Sequence, residues 1–234
     1  MRSRPSSAVP VTLSVHGKGS AAHADRQDVK PLSVALSAEN NDAEMPQVWR
    51  EWGRLTRFLE STQLAFARER NLWASLELRS ADEVKLCAAT TRGSYKVALA
   101  QHLAAVRDEE TLFASVLIHS YALAESAAAE RLEGAPRDFG GIEDWGTRLL
   151  ATTGSTWDAL NEGMAGAVEV AVVRNAYAHS GRRIDHAAAN RLRAAGQTAW
   201  KEGDPVVLDY ATLRIFRGRL RALMGLGGLG VGAS

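Results

Sequence analysis

Seven large apolar residues between positions 49 and 76 fall at steps of three, four and seven: Trp49, Trp52, Leu55, Leu59, Phe66, Trp73 and Leu76. A strand alternates its side chains every two residues, so this spacing predicts one long amphipathic helix over about residues 46–77, with Pro46 tolerated in its first turn. A chain that opens its core this way needs other helices to cover the apolar stripe.

The rest of the sequence supplies them. Ser80 with Glu83 three residues later is a capping-box pattern for a second helix, which bends near Thr91-Arg92-Gly93-Ser94 and resumes through Leu99, Leu103 and Val106. Asp108 caps a third, whose stripe runs through Leu112, Val116, His119, Leu123, Ala127 and Leu132 and stops at Gly134 to Pro136. A short helix over Ile142–Ala151 carries Trp145. Ser155 caps a helix through Trp157, Leu160, Met164, Val168 and Val172 that ends near Ser180-Gly181. Another spans about Asp185 to Ala195, Pro205–Leu208 is extended, and Asp209 caps a last helix to about Leu223. No segment repeats at solenoid periods. With 234 residues, 46% hydrophobic and 24% charged, the expectation is an all-α helical bundle with one core over residues 45–224.

Both ends read as appendages. Residues 1–44 mix Ser, Ala, Pro, Gly and scattered charge without a period, as a disordered or loosely attached arm does. Gly225-Leu226-Gly227-Gly228-Leu229-Gly230 spells G-x-G-x-x-G, but an arginine-rich helix precedes it where a dinucleotide fingerprint needs a strand. Residues 225–234 are therefore expected to be a flexible tail.

The single cysteine, Cys87, rules out an internal disulfide or a cysteine-based zinc knuckle, and in an apolar helix it reads as core filler. Reducing cytoplasm is the expected compartment. Pro10 and Ser14 interrupt the weakly apolar stretch at Ala8–Val15, so no signal peptide is expected, and the apolar run Leu112–Ala124 is short for a bilayer.

Several enzyme classes fall away. The chain has no G-x-x-x-x-G-K-[ST] loop, no H-E-x-x-H, no Glu-x-x-His pair of the di-iron kind and no G-x-S-x-G elbow. His179 and His186 are flanked by arginines that repel a cation, so no metal or other cofactor is expected.

Charge is what remains. The formal net charge is +1, yet residues 171–223 hold ten Lys or Arg against four Asp or Glu, a net of +6, so the rest carries −5. A basic quarter of this kind is the footprint of a polyanion partner, or else a solvated face on which Arg214, Arg217 and Arg221 follow helical spacing. Inside it stands Val172-Val173-Arg174-Asn175-Ala176-Tyr177-Ala178-His179-Ser180-Gly181. Arg174 and His179 form an R-x-x-x-x-H pair that occurs once in the chain, at the end of an apolar helix and before a helix-stopping Ser-Gly.

On these residues the sequence resembles the HEPN superfamily, whose ribonuclease members carry this pair late in a helical bundle. His119-Ser120-Tyr121-Ala122-Leu123-Ala124-Glu125 is similar to the family's earlier, glutamate-bearing helix, Ser180-Gly181-Arg182-Arg183-Ile184-Asp185 to its turn after the histidine, and Val207-Leu208-Asp209 with the last helix also fits. The resemblance implies a toxin or phage-defence ribonuclease, commonly dimeric, though some members are catalytically silent. Some family toxins carry a tyrosine two residues after the histidine that a partner enzyme modifies; here that position is Gly181. Another antitoxin or defence partner remains open.

The chemistry suits the residues. RNA is cleaved without a metal when its own 2′-OH attacks phosphorus, provided a group moves the proton and another stabilises the developing charge. Histidine titrates nearest neutral pH, and a helix C-terminus favours its protonated form. Arg174 supplies a permanent bidentate clamp for phosphate oxygens, and Asn175 a group to position the ribose or hold the imidazole. Five helical positions turn about 500°, so on a regular helix Arg174 and His179 point about 140° apart. Loosening before Gly181, or a two-fold dimer in which both copies of the motif line one cleft, brings them together; the dimer is favoured.

Around the pair, Glu125 either orients His179 or is a solvated helical residue, and Tyr177 is a packing residue or a support. His119 reads as a buried, hydrogen-bonded core residue. Arg182 and Arg183 read as RNA-backbone contacts or as solubility charges. The leading expectation is a metal-independent, homodimeric endoribonuclease. Its rivals are a non-catalytic helical module that binds RNA, a nucleotide or a protein, and a purely structural dimerisation bundle.

Overall fold

A computed structural model describes residues 45–75, 84–90 and 93–230. The expectation of an arm at residues 1–44 lies outside them. The described chain is all-α in class, with seven α-helices and one small hairpin, and it divides into two compact units rather than the single core expected. Helix α1 (Gln47–Ser75) contributes residues 47–63 to one unit and 64–75 to the other.

The smaller unit, described from residue 64 to 108, corrects the sequence reading. Instead of a second helix bent at Thr91–Ser94, two strands, β1 (Lys85–Thr90) and β2 (Gly93–Ala98), pair antiparallel. Ser80 and Glu83, the expected cap, lie outside the described residues. The register pairs Leu86 with Val97 and Thr90 with Gly93, where φ is +137°, a value that glycine reaches without a Cβ penalty. Leu86 is buried with Trp73 and Leu99, and Val84, Val97 and Leu103 pack against them. That shared cover decides for strands: paired, the hairpin puts Leu86 beside Trp73. Cys87 is therefore a half-buried strand residue. Helix α2 (Leu99–Arg107) follows directly, and its Val106 carbonyl accepts from Arg70 Nη1 at 2.9 Å.

The larger unit holds residues 45–63 and 109–230 of the description. Helix α3 (Glu109–Arg131) packs on α4 (Ile142–Ala151), α5 (Gly163–Ala178) and α7 (Tyr210–Met224). Val116, Leu117, Ala124 and Ala128 are fully buried along it. By length and composition α3 as a whole is apolar enough to cross a bilayer, unlike the Leu112–Ala124 run alone, but most of that surface is already buried inside the protein.

The helix expected from Ser155 starts later, at Gly163. Trp157–Ala159 is a single 3-10 turn whose indole donates to Thr147 Oγ1 at 2.9 Å and lies over Gly146, where a Cβ would collide with it. Glu162 then takes a left-handed φ of +63° and Gly163 one of +54°, which no continuous helix contains. Helix α6 (His186–Ala194) is capped by Asp185, which accepts from the Ala188 amide at 2.8 Å. Asp209 caps α7 in the same way through Thr212 at 2.7 Å.

Residues 225–230 are not a free tail. Gly225–Leu229 continue α7 as a π-turn, buried Gly227 sits against Leu149, and the Trp49 indole donates to the Leu229 carbonyl. Thr153 Oγ1 donates to the Leu226 carbonyl at 2.6 Å. The glycines that look like a flexible end instead let the backbone approach α4 closely.

Candidate functional site

The R-x-x-x-x-H pair sits at the end of α5 as the spacing requires. His179 is the first residue to leave the helix, with φ −138° and ψ −33°, although its amide still donates to Asn175 O at 2.9 Å. The backbone thus loosens at the histidine itself. Its ring is exposed and makes no hydrogen bond or ion pair among the described residues.

Arg174, one turn and a half earlier, turns inward. Its guanidinium lies 5.0 Å from the centre of the Tyr121 ring on α3, and Nη1 donates to Asn175 Oδ1 at 2.7 Å. Nε is buried without a partner. Stacking and the amide bond together fix a half-buried cation in one orientation. No contact joins it to His179 within one chain.

Tyr121 stands in the His119–Glu125 stretch but carries no site signal of its own in the sequence. Burial pushes its phenol up to about 12; the Glu125 carboxylate acts in the same direction, and the Arg191 and Arg174 charges oppose it. The charge of Glu125 is thus felt at Tyr121, and no hydrogen bond or ion pair among the described residues links Glu125 to His179. Tyr121 also meets Trp145 edge-on, with ring centres 6.2 Å apart. His119 departs from the expectation of a core residue: it is exposed, with Nδ1 2.8 Å from the Ser115 carbonyl one turn back.

The turn after His179 is held by an acid that no motif in the sequence points to. Glu110, in the first turn of α3, accepts from the Tyr177 hydroxyl, from Arg182 Nη1 at 3.1 Å and from the Leu208 amide at 3.4 Å. Arg182 Nη2 reaches Thr111 Oγ1 at 3.3 Å, its guanidinium lies 5.6 Å over the Tyr177 ring, and its φ is +63°. Burial first, then the hydrogen bond and charge of Glu110, hold the Tyr177 phenol well above the usual tyrosine range. Both side chains are thus tied to Glu110, with Tyr177 half-buried and Arg182 still exposed, and acidic residues in a helix's first turn were the available signal for such an anchor. Arg183 is exposed and donates Nη1 to the Gly203 carbonyl at 2.8 Å.

A cavity of about 180 Å³ opens beside the motif between α5 and α6, lined by Asn175, Ser180, Arg183, Asp185 and Arg191 among others. Arg191 is engaged on its far side by Glu143, through Nε at 2.9 Å and Nη2 at 2.5 Å. Burial works against the Glu143 carboxylate, yet the hydrogen bonds and charge of Arg191 hold its pKa below the usual value.

The basic quarter is accordingly less free than its count. Carboxylates from elsewhere in this unit neutralise Arg182, Arg191 and Arg219, the last through Glu162 and Glu169. Among the described residues, Arg174, Arg183, Arg193, Lys201, Arg214, Arg217 and Arg221 have no carboxylate partner. His186 pairs with Glu202 at 2.8 Å. No three His, Cys, Asp or Glu side chains of the described residues converge on one point.

One helix end therefore carries a half-buried cation held in one orientation and an exposed imidazole with no hydrogen-bond partner among the described residues; the cation can attract and orient an anion. No protein-family model, curated protein or solved structure matches the chain.

Proposed function

We propose that the protein is a metal-independent endoribonuclease, working as a two-fold dimer and serving as a bacterial toxin or anti-phage effector of the kind the HEPN resemblance implies. The observation that carries the reading is the free His179 ring at the C-terminus of α5, on the same helix as an Arg174 guanidinium held by Tyr121 and Asn175.

In the reaction the ribose 2′-oxygen forms a bond to phosphorus while the bond from phosphorus to the 5′-oxygen breaks. One His179 copy takes the 2′-OH proton and the other, protonated, gives one to the departing 5′-oxygen. Arg174 stabilises the charge gathering on the non-bridging oxygens. The products are a 2′,3′-cyclic phosphate and a 5′-OH. The dimer resolves the angular problem, because two copies supply an arginine and a histidine from opposite sides.

The test is incubation of the full chain with single-stranded RNA in EDTA, followed by analysis of the ends. Cyclic phosphate ends are expected, lost in His179→Ala and Arg174→Ala; Arg174→Lys, which keeps the charge but not the fork, should retain only a small residue of activity. Full activity in the two alanine variants overturns the reading.

A second reading is a non-catalytic module that binds RNA through the same face. It is favoured by the fact that every bond and ring contact of Arg174 is internal. It expects salt-sensitive binding without turnover, damaged by Arg183→Glu and unaffected by His179→Ala.

A further inference from the structure

The larger unit contains a second basic feature, built on other elements. Four arginines of α7 stack on aromatic rings, and three of them line one groove. Arg221 lies 5.7 Å over Trp49, Arg217 lies 4.7 Å over Trp52, and Arg214 lies 6.0 Å over Tyr210. Two adjoining cavities of about 370 and 380 Å³ open along this row, and Trp52, Thr56 and Arg221 line both. Arg57, on α1, lines the second. Glu60 is the one carboxylate on either lining among the described residues.

Charge alone would make this a solvated face, but the packing is not that of a solvated face. Trp49 and Trp52 are buried beneath the guanidiniums, so their rings meet cations instead of solvent. Arg217 is pinned further, with Nη2 2.8 Å from Thr56 Oγ1, and its Nε is buried without a partner. Burial, reinforced by the nearby Arg221 charge, pulls the Arg217 pKa down against the pull of Tyr210 and Glu60. A half-buried cation lacking a counter-charge is the group that a bound anion would relieve.

The shape favours a chain over a single small anion. From Arg214 to Arg221 the helix rises about 10 Å, so the cations form a row along one groove. Tyr210 stands at its end, 39% exposed, with Arg214 over its ring and the Phe113 ring tilted against it at 6.0 Å. A basic groove that ends on an exposed aromatic ring is how single strands are held, since only an unpaired base can stack.

We propose that the groove between α1 and α7 binds the sugar–phosphate backbone of single-stranded RNA, as a channel separate from the His179 site. The choice of RNA rests on the reading of the protein as one that acts on RNA; the groove's need for an anion does not.

The experiment measures binding of a labelled single-stranded RNA to the full-length His179→Ala chain in EDTA by fluorescence anisotropy, across a salt series. Arg214→Gln with Arg221→Gln, both on the surface, should weaken binding at least tenfold and lower the salt slope by about 0.7 for each phosphate no longer neutralised. Arg193→Gln, an exposed arginine outside the groove, should change it less than twofold. Tyr210→Ala should weaken single-strand binding more than binding of a duplex of equal length. Unchanged binding in the double variant, an equal loss in Arg193→Gln, or equal handling of the duplex overturns the proposal, as does the absence of RNA binding at low salt. Binding through the groove with no cleavage by the wild-type chain supports the channel and overturns only the ribonuclease reading. Cleavage unaffected by loss of the groove does the reverse.

Discussion

The phenolic hydroxyl of Tyr177 donates to the carboxylate of Glu110, 67 residues earlier in the chain. The same carboxylate holds Arg182 and the Leu208 amide, so one side chain fastens the turn after His179 and the approach to α7 onto the start of α3. Glu110→Ala takes the carboxylate from Arg182 and from the Leu208 amide and leaves the Tyr177 hydroxyl only the Val206 carbonyl, at 3.2 Å. We predict a loss of about 2 kcal/mol, against about 1 kcal/mol for Tyr177→Phe, which removes a single hydroxyl. Urea denaturation should show lowered midpoints with an unchanged slope for both variants.

Alkaline behaviour follows from the two raised phenols. A group whose pKa is higher folded than unfolded contributes stability that is fully present below the unfolded value and is lost as pH rises through the folded one. For Tyr121 that window runs from the ordinary value of 10.0 up to about 12; for Tyr177 it opens at the same point. Denaturation midpoints should fall across this range, and less steeply in Tyr177→Phe. A wild-type midpoint that stays flat up to the top of the window would contradict the buried phenols.

Acid behaviour turns on Glu143. Its carboxyl is held below the usual 4.5 by Arg191, so the contribution is present above that value and is lost as pH falls through the folded pKa. Replacing Glu143 with Gln removes the titrating partner and leaves Arg191, half-buried beside the cavity, without its counter-charge. The variant should be less stable than wild type at neutral pH, and the difference should shrink in acid. Thermal melts at neutral and acid pH would show whether the gap closes.

Two glycines in the C-terminal turn should respond in opposite directions. A Cβ at Gly227 would overlap the buried Leu149 side chain, so Gly227→Ala should cost about 1–3 kcal/mol through overpacking. Gly225 has ordinary helical angles and open space around its would-be Cβ. Gly225→Ala should therefore be neutral or stabilising by about 0.5 kcal/mol, as in other compatible glycines. Equal effects at the two positions would mean that the turn is not packed.

The readable parts of the sequence are those in which local pattern and tertiary cover agree. Asp209 followed by the α7 stripe, and Asp185 before α6, cap their helices because a side-chain oxygen needs only its own neighbouring amides. The hairpin is not legible because an alanine-rich stretch satisfies a helical pattern equally well, and the cover that makes it strand, Trp73 against Leu86, comes from residues far from the turn. The later start of α5 likewise depends on where Trp157 lodges, over Gly146. At the candidate site, the sequence puts Arg174 on α5 and His179 at its C-terminal end. It does not reveal that Tyr121 receives the guanidinium or that Glu110 fastens the following turn, since both partners lie on α3.

The bond from Trp49 to the Leu229 carbonyl spans 180 positions, and it closes the unit that also contains the Arg217 and Arg221 stacks. On the ribosome, α1 is made first and waits for almost everything else. Its tryptophans find their arginines only after α7 has been synthesised and has left the exit tunnel. A nascent chain therefore carries an unfinished groove, and whatever this protein binds there it can bind only once α7 has emerged.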